Sequence, residues 1–163
     1  MADLATTIAA EFAGYYEKVR ADLHTWVDPL SQEQFWKNPY PYGNSVGHLV
    51  LHLTGNLSYY IGARVAQNGY VRNRDREFTE DEKLDKRTVL QAFDRTIDMV
   101  VATVRAQAPL DWLADYNAER EPEAKNRLAI FLHCAAHAYH HVGQIIYLSR
   151  ELALEREGKT ASA

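Results

Sequence analysis

Four of the seven histidines in this 163-residue chain lie within nine residues of one another, between His133 and His141. Two of the four, His137 and His141, are four residues apart, which places them one turn apart on one face of a helix. Two imidazoles in this arrangement can bind one divalent cation, with zinc–nitrogen distances of about 2.0–2.1 Å. The spacing therefore indicates metal binding, and it leaves open whether His133 or His140 contributes.

A second histidine pair can supply the third ligand that a catalytic metal site usually needs. His48 and His52 show the same four-residue spacing on another helix. Three protein ligands leave one coordination position open for water or substrate. We therefore predict a tri-histidine site of His137, His141 and one histidine of this second pair; His52 shares its helix face with Asn56, and His48 is a possible extra ligand.

Two well-known metal-binding motifs are absent from this sequence, and their absence limits which metals the histidines could bind. The zincin motif has glutamate directly after its first histidine, whereas Ala138 follows His137. Di-iron bundles use Glu-x-x-His, and no histidine here has a glutamate three residues before it. Three neutral imidazoles without a carboxylate suit Zn²⁺ or Ni²⁺ better than Mg²⁺ or Ca²⁺. The predicted cofactor is therefore zinc or nickel.

Several other side chains share the helix faces of these histidines. The candidates for a pocket beside the metal are Asn56, Tyr59, Tyr60 and Gln144. Cys134 lies on the same stripe as His137, but burial in apolar surroundings would raise its pKa and make it inert. Gly143 is unfavourable inside a helix, so we expect it to allow close approach of a neighbouring helix.

Four long helices must position these residues, because apolar side chains recur at steps of three and four residues. The predicted helices begin at Leu4, at Asn44 or Ser45, after Asp85, and at Pro122, and the last one runs to about Leu154. No useful strand alternation occurs. The sequence thus predicts an all-α protein, a four-helix bundle. The charged stretch 72–85 reads as an exposed connection, with a capping box beginning at Thr79.

Composition limits the class of protein. Apolar residues make up 47% and charged residues 25%, and the net charge is −4 with histidine neutral. These values predict one globular domain over residues 1–154 with a flexible tail over 155–163, and no nucleic-acid surface. We also expect no membrane span, no export signal and a cytoplasmic location. The single cysteine excludes disulfide frameworks and multi-cysteine metal sites.

Two segments resemble the DinB/YfiT-like superfamily of metalloenzymes. They are NSVGHLVLHL at 44–53 and HAYHHVGQI at 137–145. The resemblance implies an up-down-down-up four-helix bundle that is often dimeric, and a divalent metal on His52, His137 and His141. Characterised relatives include transferases and isomerases that use low-molecular-weight thiols such as bacillithiol, mycothiol or glutathione. Val142 stands where arginine is common in the second motif.

Three functions remain open at this point. In the first, the metal activates a thiol or water, and the protein is a thiol-dependent S-transferase or a related hydrolase acting on a small molecule. In the second, the protein is a non-catalytic, stress-related metal-binding bundle for binding or dimerisation. In the third, the histidines form a metal-free pH switch.

Overall fold

Six α-helices provide most of the regular structure in the computed structural model, which describes the backbone of residues 3–161 and the side chains of residues 3–154. They are α1 (Leu4–Val27), α2 (Gln32–Trp36), α3 (Val46–Leu57), α4 (Arg76–Thr79), α5 (Lys86–Arg105) and α6 (Arg127–Ala161). A π-helical segment, Ser58–Ala63, continues α3, and a 3₁₀ turn spans Asp111–Leu113. Residues 3–161 contain no strand, only an isolated bridge between Asp115 and Asn126. The all-α prediction is confirmed.

The four long helices enclose one apolar core, in which α1 and α3 each contact both α5 and α6. The buried residues of α1 show why: they recur at steps of three and four and so lie along one face. They are Ala9, Ala13, Tyr16, Val19, Leu23 and Val27. The hydroxyl of Tyr16 donates to the carbonyl oxygen of Phe131 at 3.0 Å, which joins α1 to α6 within the core. The up-down-down-up order of helix directions stays a prediction.

Two helix starts agree with the sequence signals. Ser45 caps α3, since its hydroxyl oxygen accepts the backbone N–H of His48 at 3.2 Å. Ser31 and Gln34 form a reciprocal capping box at the start of α2. Both caps satisfy backbone donors that a first helical turn leaves without partners. The cap of α3 fixes the start of the helix that carries His52.

One predicted helix start is confirmed and one is wrong. The helix predicted after Asp85 is α5, which begins at Lys86 and is capped by the side chain of Asp85, whereas the predicted capping box at Thr79 is not formed because Thr79 ends α4. Pro122 does not lie in the first turn of α6, which begins five residues later. Asn126 Oδ1 accepts the backbone N–H of the third residue after it at 2.9 Å. In both cases an Asx side chain next to the helix takes the capping position.

The expectation of an exposed connection over residues 72–85 is correct for most of the segment, where residues 73–76, 79 and 81–85 are exposed, but it is wrong for three charged residues. Glu77 and Glu80 are buried, and the side chain of Arg72 is 8% exposed. Each buried carboxylate is paired with an arginine, Glu77 with Arg72 and Glu80 with Arg76, as described below. The short helix α4 lies within this segment and contacts α3.

The last helix is longer than predicted. Its backbone stays helical to Ala161, beyond the expected end near Leu154. Residues 155–161 therefore continue α6, and the division of the chain into a domain over 1–154 and a tail over 155–163 stays a prediction. Among the described residues, no helix is both long and apolar enough to cross a membrane.

Candidate metal centre

Three histidines from two helices meet at one point between α3 and α6. His52 comes from α3, and His137 and His141 come from consecutive turns of α6. One ring nitrogen from each lies within 4.8 Å of the others, and the ring centroids are 4.5–5.2 Å apart. His52 is 5% exposed, whereas the two α6 histidines are half-buried. The three residues selected from spacing therefore form a group that could hold a metal ion.

The local sequence explains why these rings face one another. On α6, the apolar residues Ile130, Cys134 and Ile145 occupy the same stripe as the two histidines and are buried in the core. On α3, Leu49 and Leu53 are buried on either side of His52. Burial of these flanking side chains sets the rotation of each helix about its axis. As a result, the histidines are directed to the contact between the helices.

Hydrogen bonds fix the tautomers of two of the rings. His52 Nδ1 lies 2.8 Å from Oε2 of Glu77, and His141 Nδ1 lies 2.7 Å from Oε1 of Gln144. A carboxylate or amide oxygen can only accept, so both Nδ1 atoms carry the proton and both Nε2 lone pairs are available. His52 Nε2 then accepts from His137 Nε2, 3.0 Å away. A bound cation would replace this last hydrogen bond.

The environment favours the neutral, metal-binding form of the α6 rings. Burial, followed by the neighbouring imidazoles, lowers the pKa of His137 to about 3. Burial also lowers the pKa of His141 to about 4, although its hydrogen bond to Gln144 acts in the opposite direction. Histidine must be neutral to bind a metal. These two rings are therefore neutral at pH 7, which is the charge state that coordination requires.

Behind His52 lies a buried ion pair that the sequence analysis missed. Nε of Arg72 donates to Oε1 of Glu77 at 2.6 Å, and a terminal guanidinium nitrogen donates to Oε2 at 2.8 Å. The two side chains are 8% and 6% exposed. Burial raises the pKa of Glu77, but its bonds to Arg72 and His52 outweigh that effect and hold the pKa below its ordinary value. Glu77 is thus an anion beside a metal-ligand candidate.

A comparison with protein families agrees with this geometry. The sequence model of the DinB superfamily matches residues 15–145, a range that includes all three histidines. The chain belongs to the DinB superfamily. The resemblance seen in the two histidine motifs is therefore confirmed. Searches of the curated proteins and of the solved structures return no match to this DinB chain.

The other histidines of this DinB protein lie outside the three-residue group. His48 Nδ1 is 2.8 Å from the hydroxyl of Ser45, and its Nε2 donates to the carbonyl oxygen of Glu80 at 3.3 Å. Both ring nitrogens of His48 are therefore occupied. A ring nitrogen of His133 lies 3.3 Å from a carboxylate oxygen of Glu121. His140 is exposed, and its ring packs against the ring of His141.

The predicted pocket residues of this DinB protein differ in burial and in contacts. Asn56 is buried, and its Oδ1 has no hydrogen-bond partner. The hydroxyl of buried Tyr60 lies 3.5 Å from Glu121, and its ring lies under the Arg72 guanidinium at 5.6 Å. Tyr59 lines a cavity of about 660 Å³, to which Arg72 also contributes. Arg72 therefore connects this cavity with the ion pair behind His52, although the residues that line the cavity do not include the three histidines.

On α6, the expectation for Cys134 agrees with the structure and the expectation for Gly143 does not. Cys134 is fully buried, and burial raises the pKa of its thiol far above the ordinary value. The thiol is therefore protonated at neutral pH, as an inert core cysteine should be. Gly143 does not allow a close helix approach, since nothing lies within 4 Å of the point where a Cβ would stand.

Proposed function

We propose that this DinB protein is a divalent-metal-dependent enzyme whose Zn²⁺ or Ni²⁺ is held by Nε2 of His52, His137 and His141. One observation carries the proposal: three imidazole nitrogens from two helices lie within 4.8 Å of one another. The acceptors on Nδ1 of His52 and His141 support the same assignment, because such outer partners direct Nε2 toward a metal. His48 is not part of the group, which favours three protein ligands over a closed four-ligand site.

The proposed reaction is thiol-dependent S-transfer to a small electrophilic molecule, with hydrolysis as the related alternative. When bound, the metal supplies Lewis acidity and lowers the pKa of a coordinated thiol or water. The chain holds three imidazole rings at the site, and the buried ion pair excludes water from behind His52. The cavity beside Arg72 is also lined by Arg74 and Arg120, and by the acidic residues Asp75 and Glu119. Its three arginines outnumber its two carboxylates, which supports binding of a thiol cofactor that carries carboxylates.

The test is elemental analysis of untagged protein purified with zinc and nickel present, beside His137→Ala/His141→Ala. We expect about one metal ion per chain in the wild type and none in the double variant. His140→Ala is the matched control, because His140 lies on the same helix but outside the group, and it should keep its metal. A wild-type protein without metal would contradict the proposal.

Activity is then tested by supplying the metal-loaded protein with glutathione, bacillithiol or mycothiol and an electrophilic acceptor. Loss of free thiol that depends on wild-type His137 and His141 supports S-transfer. If the loaded protein shows no turnover and loses most of its thermal stability when the metal is removed, the metal is structural and the enzyme proposal fails. A cytoplasmic location and a homodimer stay predictions, which cell fractionation and light scattering measure.

A further inference from the structure

The buried pair of Glu77 and Arg72 lies directly behind His52. We propose that Glu77 is a positioning residue that fixes the ring of His52, so that Nδ1 carries the proton and Nε2 faces the cation. The expected effect of Glu77 on metal binding rests on the proposed function, but the orientation of the His52 ring can be measured without a metal. Arg72 and Gly55 complete the arrangement, each in a different way.

Arg72 fixes the carboxylate. Oε1 of Glu77 accepts from Arg72 Nε at 2.6 Å, and Oε2 accepts both from a terminal nitrogen of Arg72 at 2.8 Å and from His52 Nδ1 at 2.8 Å. A two-point guanidinium–carboxylate contact sets the plane of the carboxylate as well as its distance. Rotation of Glu77 away from His52 would break one of the Arg72 bonds. The carboxylate is therefore held in the orientation that His52 requires.

Gly55 provides the space. It lies on α3 three residues after His52, and a Cβ at this position would overlap Oε1 of Glu77 and stand 2.8 Å from its Cδ. Only glycine leaves room for the carboxylate there. Glycine within a helix is unfavourable compared with alanine. A glycine at this point of α3 is thus explained by the carboxylate that occupies the position of its missing side chain.

A neighbouring ion pair shows that a carboxylate of this segment can be buried without contacting the metal site. Glu80 is buried as well, and it pairs with Arg76 at 3.2 Å. Its carboxylate contacts no histidine side chain among the described contacts, and Arg76 is 62% exposed. Glu77 differs because its second oxygen reaches His52. Glu80 therefore serves as the matched control for Glu77.

The first variant is Glu77→Gln, which keeps the shape of the side chain. Gln offers one oxygen and one NH₂ group where Arg72 and His52 together present three donors, so a donor must face a donor. We expect zinc affinity, measured by competition with a chromophoric chelator, to fall about 10–100-fold. Glu80→Gln should stay within about threefold of the wild type. Melting curves of the metal-free proteins report whether each variant is folded.

The second variant is Gly55→Ala, which keeps the charge of Glu77 but displaces its carboxylate. We expect a similar loss of zinc affinity. Gly143→Ala is the control, because the added methyl group at Gly143 meets nothing within 4 Å. It should bind zinc as tightly as the wild type. This pair keeps the inference testable if Glu77→Gln does not fold.

The third readout is the tautomer of His52 in the metal-free protein, from the ¹⁵N chemical shifts of its ring. Protonated Nδ1 in the wild type, and loss of that preference in Glu77→Gln, supports the inference. Protonated Nε2 in the wild type overturns it. So does a wild type that binds zinc while both Glu77→Gln and Gly55→Ala bind it equally well. A wild type that binds no zinc contradicts the proposed function instead, and the ring shifts still decide the role of Glu77.

Discussion

Removal of the Glu77 carboxylate should destabilise the protein far more than removal of the whole ion pair. Three hydrogen bonds end on this carboxylate, and the Arg72 side chain is 8% exposed. In Glu77→Ala the guanidinium stays buried without a counter-ion, which costs about 3–5 kcal/mol. In Arg72→Met/Glu77→Leu both charges are replaced by apolar groups of similar length. The unfolding free energy of the double variant should be close to that of the wild type.

Urea unfolding of the metal-free proteins, followed by far-ultraviolet circular dichroism, measures this difference. With a slope of roughly 2 kcal/mol per molar urea, a loss of about 4 kcal/mol lowers the midpoint by about 2 M. The double variant should regain most of that shift and yet still bind zinc weakly, because His52 has lost its acceptor. If the double variant is as unstable as Glu77→Ala, the buried guanidinium is not the source of the cost, and the reasoning is refuted.

Three further predictions concern titration and reactivity. The pKa values of His137 and His141 are depressed in the folded protein, so the unfolded chain binds more protons below about pH 6.5. The metal-free protein should therefore lose stability as the pH falls from 6.5 toward 4, and His137→Ala/His141→Ala should lose less. Urea titrations measure the unfolding free energy at each pH, and an equal loss in both proteins would contradict this. Burial lowers the pKa of His24, but hydrogen bonds to Asp94 and a second aspartate outweigh it and raise the pKa. His24 therefore stabilises the folded protein more at low pH than at high pH. His24→Gln should cost more stability at pH 5.5 than at pH 8.5, as urea midpoints at the two pH values will show. Cys134 should react with a chromogenic disulfide reagent only after unfolding, and rapid reaction of the native protein would show that the thiol is accessible.

Features of the fold that follow from the spacing of residues along one helix could be predicted from the sequence. The apolar steps of three and four predict the four long helices, and the two four-residue histidine pairs predict that His137 and His141 meet a histidine of α3. The family resemblance then selects His52 rather than His48. Local caps were equally visible, since Ser45 binds a backbone N–H only three residues away. In each case the signal and the structure it specifies lie within one or two helical turns.

The ion pair behind His52 could not be predicted in this way. Arg72 and Glu77 are five residues apart in a stretch rich in both charges, and such a stretch is normally a solvated loop. Their burial depends on Gly55, in another element, and no periodicity in the sequence connects that glycine with a glutamate twenty-two residues later. The start of α6 was misplaced for a similar reason, because both Pro122 and Asn126 can begin a helix and tertiary contacts decide between them.

The short helix that carries Glu77 has a consequence for the motions of the protein. A helix of four residues is not stable in isolation, so α4 persists only through its contacts with the rest of the chain. Segments of this kind open locally at a lower free energy than the long helices around them. Each opening would release the ring of His52 while the bundle stays folded. The backbone amides of Phe78 and Thr79 should therefore exchange with deuterium faster than those around His137, at a rate that also measures how often His52 is free to turn.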